Sequence, residues 1–231
     1  MTVTELAILP LALIQTTSPT LAPALINKLL QTRQALISAS GYHFTYYYQV
    51  EDPSIICLIG AWDSVSAHHA FIASPDNKEL LALLKDDMLL SDTQERAGMR
   101  MWHLEGDIFN LKPSGGEANA GNKKDVLDAP IISLKRHSIL PSKKVAFLAA
   151  FSGIKHLLES ASPYQVVGGW RIDKEEIEGT EREEFCLFSG FEGVERHHEL
   201  PKTTEFEEYK TIVGEVESFE FRHLNVLELD T

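Results

Sequence analysis

The chain has 231 residues, 44% of them hydrophobic, which is enough apolar material for one large domain or two smaller ones. Its formal net charge of -13 disfavours binding to nucleic-acid phosphates and to anionic membrane surfaces. The apolar run at residues 6–14 follows an acidic residue and contains Pro10, so it predicts neither a signal peptide nor a membrane span. The two cysteines, Cys57 and Cys186, lie in apolar strand-like runs and predict buried free thiols in a cytoplasmic protein.

An internal repeat organises the sequence. Residues 55–69 align without gaps with residues 184–198 at a constant offset of 129, matching a cysteine, a leucine, a valine and a pair of adjacent histidines. Two further pairs of segments align at slightly different offsets: 42–50 with 164–172, and 99–104 with 219–224. The sequence therefore predicts two diverged copies of one unit.

A polar segment separates the two copies. Residues 110–129 are rich in glycine, serine, asparagine and lysine and contain few apolar residues, as is typical of a linker. We therefore predict a first domain at residues 1–109 and a second at residues 130–231.

The first copy predicts a mixture of strands and helices. In chain order these are a strand within residues 6–14, a helix from about 21 to a stop at Ser40 and Gly41, strands at 42–50 and 55–62, a short helix from about 64, a longer helix over 80–88 and a strand at 99–104. The carboxylate of Asp63 is predicted to cap the short helix, because it precedes the first turn and can accept its free amide groups.

The second copy predicts the same order of elements. They are a strand at 131–139, a helix at 142–158, strands at 166–172 and 185–191, a helix around 206–216 and a strand at 219–227, with the acidic residues 173–184 as a solvated hairpin loop. The order β-α-β-β-α-β is that of the ferredoxin-like unit. We expect an α+β protein in which two ferredoxin-like units pack their antiparallel sheets into a pseudo-dimeric α/β barrel.

The pattern Trp-Asp-x-Val-x-x-His-His at residues 62–69, followed by a short helix, Ser-Pro and a longer amphipathic helix, resembles the dimeric α/β barrel superfamily. Within it the chain looks most like the antibiotic-biosynthesis monooxygenases and the stress-responsive A/B barrels, in the tandem form common in fungal proteins. The resemblance covers both copies. It implies a pocket between sheet and helices in which general acid and base groups serve cyclases, decarboxylases or oxygenases that need no cofactor.

Histidines recur at equivalent positions of the two copies. His103 and His223 each end an apolar face of the last predicted strand, where an imidazole could take a proton near neutral pH or simply satisfy a backbone carbonyl. In the adjacent pairs after the hairpins only one histidine can face inward, and spacing does not decide which; His68 and His197 are the candidates. No ligand spacing for a metal ion is present.

The candidate pocket walls are aromatic or basic. The second copy has Gly168 and Gly169 where the first has tyrosines, and these glycines either make room for a ligand or allow close packing. The predicted ligand-binding residues are Trp170, Tyr48, Trp62, Arg136 and His137.

The sequence leaves three functional hypotheses open. The first is a small cofactor-independent enzyme of secondary metabolism that cyclises, decarboxylates or oxygenates an aromatic or polyketide-like molecule by histidine-assisted proton transfer, with His223, His103, His197 and His68 as catalytic candidates. The second is a non-catalytic protein that binds a hydrophobic small molecule or acts as a scaffold. The third is a haem-binding protein. The fused chain could further pair as a homodimer.

Overall fold

A computed structural model describes residues 1–13, 21–111, 123–177, 179–203, 206 and 210–229 of the chain. The chain divides into two units, one formed by residues 1–119 with 225–231 and the other by residues 120–224. Most of the predicted linker, residues 112–122, lies outside the described residues. No helix in the described part of the chain is long and apolar enough to cross a membrane.

The described residues of the first unit form four strands and three helices. In chain order they are β1 (Val3–Pro10), α1 (Pro23–Ser40), β2 (Thr45–Gln49), β3 (Ile55–Trp62), α2 (Val65–Ile72), α3 (Pro75–Leu84) and β4 (Arg100–Glu105). The strands form an antiparallel sheet in the order β4-β1-β3-β2, which is the ferredoxin-like order. The helix α1 buries Leu25, Leu29 and Leu36 and ends at Gly41, whose φ of 78° is the left-handed conformation that glycine adopts readily.

The second unit repeats this topology with an added hairpin. Its elements are β5 (Ile131–Ile139), α4 (Lys144–Ser160), β6 (Val166–Trp170), β7 (Glu175–Ile177), β8 (Thr180–Phe191), α5 (Val194–Glu199) and β9 (Ser218–Val226). The antiparallel order is β9-β5-β8-β6, and β7 pairs with the start of β8. The acidic segment predicted as a loop therefore contains a short antiparallel strand pair, in which β7 pairs with residues 180–182 at the start of β8.

The same side-chain contacts recur at aligned positions. The Tyr42 hydroxyl donates to Asp63 at 2.9 Å, and the Tyr164 hydroxyl donates to Glu192 at the same distance. Asp63 is thus engaged by a tyrosine, and the cap of α2 is instead Ser64, whose hydroxyl accepts from the Ala67 amide at 3.1 Å. The prediction of Asp63 as the cap is wrong by one residue, because both residues have an oxygen suited to capping.

The described residues after α5 include two 3-10 turns. Where the first unit has the ten-residue helix α3, the described residues of the second show 3-10 turns at Leu200–Lys202 and Lys210–Glu215. Within the helix predicted around residues 206–216, Phe206 is helical and Lys210–Glu215 forms a 3-10 turn, and residues 207–209 lie outside the described residues.

Both cysteines are buried free thiols, as predicted. Burial raises the pKa of Cys57 to about 12, so its thiol stays protonated near neutral pH.

Candidate functional site

Each unit joins one histidine of its adjacent pair to the histidine of its last strand. In the first unit His68 of α2 places its Nδ1 atom 2.8 Å from Nε2 of His103 on β4. In the second unit His197 of α5 places its Nδ1 atom 2.7 Å from Nε2 of His223 on β9. All four rings are buried. The four predicted catalytic histidines therefore form two equivalent hydrogen-bonded pairs.

The structure decides which member of each adjacent pair faces inward. His68 and His197 are buried, whereas His69 and His198 are exposed. The helices α2 and α5 begin at Val65 and Val194. The fourth residue of each helix, His68 or His197, therefore contacts the last strand of its unit.

In the first unit a carboxyl group joins the histidine pair. Glu5 Oε2 accepts a hydrogen bond from Trp62 Nε1 at 2.6 Å and lies 3.5 Å from His68 Nε2. The Trp62 indole stacks on the His68 ring with centroids 4.4 Å apart. Burial raises the pKa of Glu5 to about 7, although the Trp62 hydrogen bond works in the opposite direction. Glu5, His68 and His103 thus form a buried row whose outer side is covered by Trp62.

In the second unit the carboxyl group and the indole are both replaced. Glu5 pairs across the sheet with Gly60 and His103, and Ser133 pairs in the same way with Ser189 and His223. Phe191 takes the position of Trp62 and contacts the His197 ring at a centroid distance of 4.7 Å. The Ser133 and Ser189 hydroxyls are buried and have no hydrogen-bond partner among the described residues. The second histidine pair therefore has no neighbouring carboxyl group at this position.

An apolar cavity opens beside the second histidine pair. Its volume is about 300 Å³, within the range of small-molecule sites. The described residues that line it are mainly apolar or aromatic, with four basic or imidazole side chains among them: Lys135, His137, His197, His198, Pro201, Phe206, Ile212, Val216, Phe219 and Phe221. A hydrophobic ligand of modest size fits such a cavity.

Two aromatic residues of β9 border the cavity. Phe219 and Phe221 line it and are exposed by 56% and 38%. The aligned residues of the first unit are Met99 and Met101, and both are half-buried. Large apolar side chains that stay accessible next to a cavity are typical of a binding surface rather than a packed core.

Three basic side chains that line the cavity have lowered pKa values. Burial lowers the pKa of Lys135 to about 8. Burial, together with the charge of Lys135 and the neighbouring histidines, lowers the pKa of His197 to about 3. Burial also lowers the pKa of His137 to about 4, against the opposing effect of its contact with the Phe185 carbonyl. Both imidazoles are thus neutral near pH 7, and titratable groups so displaced inside a cavity are typical of functional sites.

The predicted ligand-binding residues are spread over different places. His137 lines the cavity, and Trp62 covers the histidine pair of the first unit. Arg136 forms ion pairs with Glu184 and Glu220, at 2.7 and 2.5 Å, and does not line this cavity. Neighbours on a strand face opposite sides, so Arg136 and His137 cannot serve one pocket.

Trp170 and Tyr48 also lie away from the cavity lining. Trp170 belongs to the core beneath α4, where its ring meets Phe147 and Phe185. Tyr48 is half-buried on β2 of the first unit. A Cβ atom at Gly168 would come within 2.8 Å of the Phe185 ring, so the glycine allows close packing and Phe185 occupies the space above it.

Sequence reasoning missed Lys135 and Glu5. The signal for Lys135 was the alternation of Ser133, Lys135 and His137 on one face of a strand whose bounds were predicted correctly. Glu5 was overlooked because the first strand was placed at residues 6–14, whereas β1 begins at Val3. Within the described residues, no group of three or more histidine, cysteine or acidic side chains is placed to hold a metal ion.

Solved structures share the fold over almost the whole chain. A candidate monooxygenase of Fusobacterium nucleatum has a TM-score of 0.61 at 9% identity, with 98% of this chain and 93% of that chain covered. A candidate monooxygenase of Lactobacillus acidophilus has a TM-score of 0.54 at 12% identity, with 98% and 99% covered. An anthrone oxidase-like protein has a TM-score of 0.62 at 14% identity, with 98% and 92% covered. No protein-family model and no curated protein matches the sequence.

Identities this low establish a common fold and leave the reaction to be argued from the site. The predicted α+β class is confirmed by the elements of both units and by the whole-chain similarity to monooxygenase-like structures. The chain has the fold shared by these monooxygenase-like structures.

Proposed function

We propose that the protein is a small cofactor-independent oxygenase that acts on an aromatic, polyketide-like molecule in the cavity of the second unit. The observation that carries this proposal is the buried His197 imidazole, which lines an apolar cavity while its Nδ1 atom is hydrogen-bonded to Nε2 of His223. The similar structures described as monooxygenases support the reaction class.

The cavity suits a fused aromatic ring with one polar edge. Phe206, Phe219 and Phe221 supply aromatic surface, and Lys135 lies with the histidines among the lining residues. A ligand that placed a phenol or ketone oxygen near Lys135 would bury its rings against phenylalanine and meet a positive charge at its oxygen. Such an arrangement favours the enolate or phenolate form of the ligand over the neutral form.

The histidine pair provides a route for the proton. Nδ1 of His197 is engaged by His223, so Nε2 is the nitrogen available to a ligand. His197 alone is a weak base because its pKa is about 3. When Nε2 accepts a proton while Nδ1 releases one to His223, the positive charge ends on His223. This route requires the tautomer in which Nδ1 of His197 carries the hydrogen and Nε2 of His223 accepts it.

Oxygen then reacts with the carbanion. For an anthrone, the ring carbon that loses a proton gives its electron pair to O2 and forms a carbon–oxygen bond. Protonation gives a hydroperoxide, and loss of water with the remaining hydrogen on that carbon gives the quinone. The balance is anthrone plus O2 to anthraquinone plus water, so dioxygen is the only oxidant required.

Oxygen uptake with anthrone tests the proposal. The similarity to an anthrone oxidase-like protein makes anthrone a reasonable first substrate. We expect uptake of one O2 per anthraquinone formed, and a loss of about 100-fold in His197→Gln, because positioned proton transfer typically contributes 10²–10⁴-fold. His69→Gln is the matched control, since His69 is exposed and does not line the cavity. Binding of anthrone without uptake above the protein-free rate would favour the non-catalytic binding protein.

A further inference from the structure

Lys135 is a buried lysine whose side chain lines the cavity. It lies on β5 with 6% of its surface exposed. The described residues lining the cavity with it are histidines, a proline and apolar side chains. Burial at a cavity wall favours the neutral amine of a lysine over its ammonium form.

The fold does not require this lysine. Lys135 pairs across the sheet with Leu187 and Phe221, and Ala7 of the first unit pairs in the same way with Leu58 and Met101. The two positions are therefore equivalent, and the first unit forms the same sheet with alanine. The lysine is specific to the unit that has the cavity.

We infer that Lys135 is an amine nucleophile that forms an imine with an apolar aldehyde or ketone bound in this cavity. The reaction needs a neutral amine, and burial lowers the pKa of Lys135 to about 8. About half of the amine is then neutral at pH 8, against less than about 1% for an exposed lysine. The aromatic lining supplies the binding surface for the carbonyl compound.

The step balances without a further reagent. The amine lone pair attacks the carbonyl carbon, and the oxygen takes a proton released from nitrogen to give a carbinolamine. Loss of the hydroxyl group with the second nitrogen proton releases water as the carbon–nitrogen double bond forms. The inference goes beyond the proton-transfer proposal and does not depend on it, because it needs only the cavity and the amine.

Reductive trapping tests this chemistry on the full chain. The protein is incubated at pH 8 with 2-naphthaldehyde and sodium cyanoborohydride, and labelled peptides are quantified by mass spectrometry. We expect at least tenfold more naphthylmethyl label on Lys135 than on Lys202, an exposed lysine next to Pro201 of the cavity wall. Lys135→Arg retains the charge and should lose this label, whereas Lys202→Arg should keep it.

Three results would overturn the inference. They are label on Lys135 no higher than on Lys202, unchanged total labelling in Lys135→Arg, and labelling of Lys135 that excess 1-naphthol does not reduce. Lys135→Ala, which carries the residue of the equivalent position in the first unit, serves as a second variant if the arginine disturbs folding. Oxygen uptake with anthrone is measured separately, so its failure and the failure of imine trapping are distinguishable.

Discussion

Glu5 and Ser133 occupy the same position in the first strands of the two units, yet only Glu5 supplies a carboxyl group to the adjacent histidine pair. Two further positions differ between the units: Trp62 of the first is equivalent to Phe191 of the second, and Ala7 to Lys135. The first unit thus has an acidic group covered by an indole, and the second has a basic group facing a cavity. Two equivalent histidine pairs are placed in opposite electrostatic surroundings.

Glu5 should make the stability of the protein depend on pH. Its folded pKa of about 7 lies above the ordinary value of 4.5, so its contribution to stability is fully present below pH 4.5 and is lost as pH rises through 7. In Glu5→Gln this loss is absent, so the unfolding free energy of the variant relative to wild type should rise by on the order of 3 kcal/mol between pH 4.5 and 8. Urea unfolding across this range measures it.

Glu79→Gln serves as the control for that titration, because Glu79 is exposed on α3. The Glu79→Gln substitution should change the unfolding free energy by less than about 0.5 kcal/mol, as is usual at a surface position. A Glu5→Gln difference that does not change between pH 4.5 and 8 would show that burial does not raise the pKa of Glu5.

Replacing Lys135 by methionine should stabilise the protein at neutral pH. The folded pKa of about 8 lies below the ordinary value of 10.5, so the lysine contributes stability above pH 10.5 and loses it as pH falls through 8. Lys135→Met should raise the unfolding free energy by on the order of 3 kcal/mol at pH 7, with the gain shrinking toward pH 10.5. Urea unfolding tests this, with Lys202→Met expected to change stability by less than about 0.5 kcal/mol. A Lys135→Met variant less stable than wild type at pH 7 would contradict the claim that the charge of Lys135 destabilises the folded protein.

Filling the cavity should prevent ligand binding without loss of fold. Val216 is a half-buried lining residue, so Val216→Phe should place a ring in the cavity and weaken 1-naphthol binding at least tenfold. Calorimetric titration measures the affinity. Val145→Phe is the matched control, because Val145 on α4 is 79% exposed and lies outside the lining. Equal affinity in the two variants would place the ligand elsewhere.

The sequence was sufficient for the fold because each element has a local pattern. The bounds predicted for β3 at Ile55–Trp62 and for β5 at Ile131–Ile139 are those of the structure. The histidine positions emerged from the internal alignment, but their hydrogen bonds join residues 35 and 26 positions apart and depend on how α2 and α5 lie on the sheets.

The electrostatic difference between the units could not be predicted from the alignment. The first strands of the two units have no shared sequence pattern. Glu5, Ala7 and Leu9 of β1 are equivalent to Ser133, Lys135 and His137 of β5, and only the strand register establishes this equivalence. The cavity was likewise unpredictable, because its lining side chains come from β5, α5, the following 3-10 turns and β9, which are far apart in sequence.

The most direct test of a ligand site confined to the second unit is a histidine NMR titration. Long-range 1H–15N spectra of the nine histidines are recorded as 1-naphthol is added. We expect shifts for His197, His198, His137 and the hydrogen-bonded His223, with His68 and His103 unchanged. Shifts of His68 and His103 that equal or exceed those of His197 and His223 would contradict it.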